Sequence, residues 1–181
     1  MTSKGGLLGL YWPARQQALE ECSSFALDSL RALQSHGYDG LFHPGRSRRE
    51  ALKHKFEVSA ENVSLLLKKG VNRTDIAPRR PIPELGWSLC LWSGDLDDEA
   101  YGIMLLCGSY SSYVYNSFVM NLPSAGRHSL AVSSDRALAA YSALVEIWHP
   151  EQAVLCEGSI SWDSEERLVP DEKPLALLRI K

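Results

Sequence analysis

Residues 83–123 read PELGWSLCLWSGDLDDEAYGIMLLCGSYSSYVYNSFVMNLP, and the fold turns on this stretch. In its first run Leu85, Trp87, Leu89 and Leu91 alternate with Gly86, Ser88, Cys90 and Trp92. Successive side chains of a strand point to opposite faces. The period of two therefore predicts a strand with one strongly apolar face, Trp87 on it and Trp92 opposite. The second run, 102–107, is apolar through Ile103, Met104, Leu105 and Leu106, the pattern of a central strand covered on both faces. The third, 113–122, alternates Val114, Phe118, Met120 and Leu122 with Tyr115, Ser117 and Asn121. Three strands joined by two turns make an antiparallel meander, which is expected to be the core of the fold.

Working outward, 7–12 reads as a first strand ended by Pro13. From Ala14 the pattern becomes helical, with Leu19, Cys22, Ala26, Leu30 and Leu33 on one face and Gly37 as the stop. A Gly-, His- and Pro-rich loop, 38–46, follows. Ser47-Arg48-Arg49-Glu50 has the form of a capping box and predicts a short helix over 48–54. Ser59 is expected to cap a second helix, 60–69, closed by Gly70, and the proline- and arginine-rich segment 71–83 reads as an extended loop. Beyond the meander, Ser134 reads as the cap of a helix running to Trp148 with Leu138, Tyr141, Val145 and Trp148 on its buried face. Strands are expected over 153–156 and 175–180, with the acidic segment 161–172 between them. The whole predicts one α+β domain over 1–181, a largely antiparallel sheet built on the central meander with helices packed on one face.

Composition is that of an ordinary globular protein, 45% hydrophobic and 23% charged, with a net charge of −3. Charge is unevenly distributed. Residues 46–80 carry ten Lys or Arg against four acids, whereas 82–150 carry two against seven. A basic patch and a larger acidic one are expected. The basic stretch has Phe56 as its one aromatic and the chain is acidic overall, so no nucleic-acid partner is expected. The N-terminal apolar run is too short for a signal peptide, and no segment has the roughly 18–20 apolar residues of a membrane span. Cys22, Cys90, Cys107 and Cys156 stand singly in apolar segments without metal spacing and read as buried, reduced thiols. A cytoplasmic protein without a membrane partner follows, either a monomer or a homodimer.

No nucleophile elbow, phosphate loop, zinc-protease helix or dinucleotide fingerprint is present. The histidines at 36, 43, 54, 128 and 149 lack a ligand at helical metal spacing. No catalytic residue, cofactor or metal is therefore expected. The loop between the first two meander strands is the most unusual feature. It places Asp95, Asp97, Asp98 and Glu99 within five residues, directly after Trp92. Asp95, Asp97 and Glu99 offer oxygens at alternate positions, but the mid-loop Gly and later Glu of a calcium loop are missing. The loop reads either as a solvated turn or as a surface facing a partner, with Trp92 of the type that dominates binding energy. An enzyme using Glu84, Tyr110 or His128 as acid or base, and an adaptor protein, are the other classes.

Several segments resemble one family. They are Gly9-Leu10-Tyr11-Trp12-Pro13-Ala14-Arg15 with Glu20-Glu21-Cys22 in the helix after it, Gly45-Arg46-Ser47-Arg48-Arg49-Glu50-Ala51-Leu52, residues 82–94 (IPELGWSLCLWSG), and Cys107-Gly108-Ser109-Tyr110 running on to Asn116-Ser117. In this order they resemble the bacterial immunity protein 52 family over residues 7–122; the final 60 residues resemble it in layout only. Pro13 stands where the family's Gly is expected. The resemblance implies a cognate immunity protein of a polymorphic toxin system. Its toxin would be delivered by a type VI secretion apparatus and would be a restriction-endonuclease-fold nuclease. It also gives Trp92, Asp95, Asp97, Asp98 and Glu99 a role, as a phosphate-mimicking surface occluding a cationic active site.

Overall fold

The structure is a computed structural model that describes residues 4–40, 43–45, 47–95 and 98–180. The meander forms as expected. Strands β3 (Trp87–Trp92), β4 (Gly102–Cys107) and β5 (Asn116–Leu122) pair antiparallel, Leu89 opposite Leu105 and Leu105 opposite Phe118. Strand β1 (Gly6–Trp12) lies between β5 and β6 (Gln152–Glu157), antiparallel to both. The two-residue β2 (His43–Pro44) and β9 (Ala176–Arg179) form the edges, giving the order β2-β3-β4-β5-β1-β6-β9.

One face of this sheet is the core face. Leu8, Leu10 and Trp12 of β1 join Leu89, Leu91, Ile103, Leu105, Phe118, Met120 and Leu155 there, all buried. Against them pack α1 (Leu19–Ser35), α3 (Ala60–Lys69) and α4 (Leu130–Trp148). The structure is therefore α+β with its long helices on one face. The capping signals at Ser47, Ser59 and Gly37 hold. Ser47 and Ser59 accept hydrogen bonds from the Glu50 and Asn62 amides, and Gly37 ends α1 with φ +81°.

An aromatic stack joins the two layers. Trp12 at the end of β1 stacks on Trp148 at the end of α4, centroids 4.8 Å apart, and Phe25 of α1 meets Trp148 edge-on at 5.4 Å. The Trp148 indole N–H donates to Ser29 Oγ at 2.8 Å. Arg15 lies 5.6 Å over the Trp12 ring and donates to the carbonyls of Trp148 and His149, at 2.8 and 3.1 Å. It thus satisfies the free carbonyls and negative dipole end of α4.

Several elements differ from the sequence expectation, each for a local reason. Helix α1 starts at Leu19, after an Ala18 that makes no side-chain cap, so 14–18 remain extended or irregular. The helix expected over 48–54 is α2 (Arg48–Ala51), a single turn. The expected start of α4 at Ser134 misses a first turn. The helix begins at Leu130, and Ser133 leaves helical geometry while its hydroxyl donates to the Ser129 carbonyl. After that kink the buried face is Ala137, Ala140, Tyr141, Leu144 and Trp148, leaving Leu138 exposed. Residues 113–115 precede β5 instead of belonging to it. The acidic segment after β6 holds an unforeseen hairpin, β7 (Ile160–Trp162) and β8 (Leu168–Pro170). Leu168 and Ile160 pack with Leu7, Tyr11, Val154 and Cys156 on the sheet face opposite the helices, a second small cluster.

That second face corrects two expectations. β4 is not covered on both sides, because the hairpin reaches β1 and β6 but leaves Met104 51% exposed. Cys90, on the same side of β3, is exposed, whereas Cys22, Cys107 and Cys156 are buried. Trp87 does lie on the core side, but at its rim. It is half-buried, with its ring filling the space beside Gly108.

Two mutations separate rim from centre. Trp148→Ala removes a fully buried ring and leaves Ser29 without its donor, so it is expected to cost about 3–5 kcal/mol. Trp87→Ala should cost clearly less, because its ring is already partly solvated. Urea denaturation midpoints check this order; an equal or larger effect at Trp87 contradicts it. Gly86, before β3, sits at φ +62° and ψ −147°, and a Cβ there would lie 2.2 Å from the Cys107 carbonyl oxygen. Gly86→Ala is therefore expected to cost about 1–3 kcal/mol or more of stability, read as a lower urea midpoint.

Candidate functional site

The carboxylate loop springs from the end of the meander that the helices also reach. Its base is closed by Ser93 and Tyr101: the Ser93 amide donates to the Tyr101 carbonyl at 3.0 Å, and the Tyr101 amide to Ser93 Oγ at 3.2 Å. Both residues are buried, so the loop leaves a rigid pair of strands from a fixed hinge. The Asp98 carbonyl accepts from the Ala125 amide at 3.0 Å, which ties the loop to the segment leading into α4.

The structure places the expected site residues as follows. Asp95 is half-buried and lines a cavity of about 230 Å³ together with Glu99, Gly126, Arg127 and His128. Asp98 and Glu99 are exposed, and Asp97 lies outside the described residues. Trp92 faces away from this cavity, on the uncovered side of β3. There the Arg48 guanidinium lies 5.7 Å over its ring, and the His43 ring is 6.4 Å away. The cation–π contact is worth about 0.5–1 kcal/mol at an exposed site and holds α2 against the strand. Trp92 and the cavity lined by Asp95 and Glu99 therefore flank the same end of β3 from opposite sides of the sheet, and exposed Asp98 lies on the loop between them.

Two groups absent from the sequence reading, Arg127 and Arg136, join His128 in the loop's surroundings. Arg127 approaches Asp39 at 3.8 Å, a solvent-exposed pair of small energetic weight. Arg136 donates to the Arg127 carbonyl at 3.4 Å. The carboxylates, isolated from any cation along the chain, thus gain one across the cavity from a segment some thirty residues later. A loop-only reading has no local signal for that contact.

His128 is the odd member. It is 2% exposed, stacks on Tyr38 at 5.2 Å and meets Tyr101 edge-on at 5.0 Å, and neither ring nitrogen has a hydrogen-bond partner. Burial first, then Arg127 and Arg136, hold the imidazole below its ordinary value, with Asp95 and Asp39 pulling weakly the other way. The ring is therefore neutral at pH 7. Burial likewise raises the Tyr101 phenol.

The residues of the enzyme reading do not converge. Glu84 and Tyr110 meet at the far end of β4, where the Tyr110 amide donates to the Glu84 carbonyl at 3.0 Å. His128 is at the Gly102 end, and β4's six residues span roughly 20 Å between them. Among the described residues no three His, Cys, Asp or Glu side chains are grouped as a metal ion would need. No helix among them is long and apolar enough to cross a membrane. The basic stretch surrounds a polar groove of about 510 Å³, lined by Lys69, Arg73 and Arg79 among others, on the flank of α3.

The sequence model of the family described as immunity protein 52 matches residues 6–174. The match runs from β1 past the β7–β8 hairpin, well beyond the residues whose motifs carry the resemblance. No curated protein matches the chain.

The buried imidazole makes a pH prediction. Well above 6.5 it is neutral in both states and contributes nothing to the pH dependence. As the pH falls past 6.5 the unfolded chain takes up a proton that the folded site resists. Stability is lost until the lower folded value is passed. Between about pH 7.5 and about pH 5 the urea midpoint should fall in the wild type and fall less in His128→Gln. Parallel curves for the two proteins would contradict it.

Proposed function

The chain belongs to the immunity protein 52 family, and we propose that it acts in the cytoplasm as the antidote to a nuclease of restriction-endonuclease fold delivered by a type VI secretion apparatus. Immunity is a binding function. The family implies a toxin as the partner and a non-enzymatic role, and the match over residues 6–174 is the observation that carries this.

The geometry supporting the contact is at the carboxylate loop. A nuclease path is cationic because it must hold phosphates. Asp98 and Glu99 stand exposed, with Asp95 half-buried behind them, on a loop whose ends are fixed by buried hydrogen bonds. Arg127 shares the cavity with Asp95 and Glu99. Opposed charge between the loop and a cationic path raises the rate of encounter, which decides whether a toxin is caught before it cuts.

Replacing Asp95, Asp97 and Asp98 together by Asn is expected to slow association with the toxin about tenfold or more at low salt, with dissociation little altered. The wild-type association rate should fall as salt is raised, and the variant's should fall less. Trp92→Ala should act on dissociation instead, by about 2 kcal/mol if the ring is a binding anchor. Stopped-flow association at two salt concentrations decides the matter. Rates indifferent to both the charges and the salt would remove the loop from the interface.

A further inference from the structure

We infer that the toxin docks across the uncovered face of β3, β4 and β5, the side of the sheet away from the helices, with the carboxylate loop as one rim of that footprint. This rests on the reading of the chain as an immunity protein and adds where the body of the partner sits. The strand register puts Cys90, Met104 and Val119 side by side on this face, and Ser88, Leu106 and Ser117 beside them. No outward position of the three strands bears a charge. Met104 is 51% exposed and Cys90 is exposed, although both sit on strands at the centre of the fold. Interface centres are depleted of Lys, Glu and Asp and enriched in Met and aromatics. A methionine adapts its shape to what covers it.

The borders of the face carry aromatics. At one side Trp92 lies under Arg48. At the other, Tyr115 stacks on the 41%-exposed Trp162 of the hairpin, which in turn meets Tyr11. The loop from β4 to β5 reads Gly108-Ser109-Tyr110-Ser111-Ser112-Tyr113, the Tyr and Ser mixture that antibody loops use for contact. Its base is rigid. Buried Asn116 donates to the Pro13 and Ser109 carbonyls at 2.8 and 3.0 Å and accepts from the Ser109 amide at 2.8 Å. Its tip presents Tyr113, 95% exposed.

Size selects one large occupant. Strands of six residues and three strands across give a bare face of roughly 20 by 14 Å, about 300 Å². A stable complex covers about 800 Å² on each partner. The occupant must therefore extend past the bare strands onto both rims, reaching the exposed Asp98 of the carboxylate loop at one end and the tyrosine loop at the other. A folded protein with an uncharged centre and a cationic edge has that shape. In the family on which this rests, that protein is the toxin.

Cys90 is the probe. The other three thiols are buried, so N-ethylmaleimide should modify Cys90 alone in the free, native protein. In complex with its cognate toxin, its modification should slow about tenfold or more. Met104→Lys should weaken toxin affinity at least tenfold while leaving the urea midpoint near wild type, because half of the side chain is already in solvent. Unchanged labelling in the complex together with wild-type affinity of Met104→Lys overturns the inference. If the Asn variants of the carboxylate loop weaken binding under those conditions, the functional reading stands and the toxin sits at the acidic end alone. If no complex forms, both fall. Free protein that resists the reagent and sediments as a dimer assigns the face to a second copy, and the inference is again overturned.

Discussion

The stack of Trp12 on Trp148 is the contact on which the arrangement of this molecule depends. β1 lies inside the sheet between β5 and β6, so the position of its last residue fixes two neighbours by hydrogen bonding and, through β5, the meander. α4 ends at that point, α1 is joined to it by Phe25 and Ser29, and Arg15 closes the free carbonyls of α4 over the same ring. One buried aromatic centre thus sets the strand order and the helical layer together. An aromatic pair contributes about 0.5–1.5 kcal/mol beyond its buried area, and here that area is wholly removed from water.

Committing α1, α3 and α4 to one face leaves the other to be managed separately. The β7–β8 hairpin does so for β1 and β6, where Tyr11 is half-buried beneath it and its phenol pushed up to about 12 by that burial. β3 to β5 stay open. The chain thus divides into a helical side that supplies stability, an end where carboxylates, Arg127 and neutral His128 meet, and an uncharged sheet surface. An immunity protein must remain folded alone and bind tightly when a toxin arrives, and this division lets each requirement be met by different residues.

The sequence was informative where the cause is local. The period of two over 87–92 placed Trp87 and Trp92 on the correct sides, and the caps at Ser47 and Ser59 were legible because each hydroxyl meets an amide three residues on. It misled at β4, where Met104 and Leu106 are as apolar as core residues yet face outward. Strand pattern cannot tell an apolar surface left open from a covered one, and exposed Cys90 was misread for the same reason. β7 and β8 have three residues each within an acidic segment, too few to show a period. At the candidate site the carboxylates were visible, but the Arg127 and His128 side of their cavity arrives from a distant segment. Pairing Trp92 with the carboxylates followed from adjacency in sequence, whereas Trp92 lies under Arg48 and Asp95 and Glu99 line a cavity with Arg127 and His128.

Hydrogen–deuterium exchange of the chain with and without its toxin tests the account most directly. The account predicts slowed exchange in the loop around Asp98 and Glu99, along β3 and β4, and in the 108–113 loop, with α1 and α4 unchanged. Protection confined to α1, α3 or α4 would contradict it.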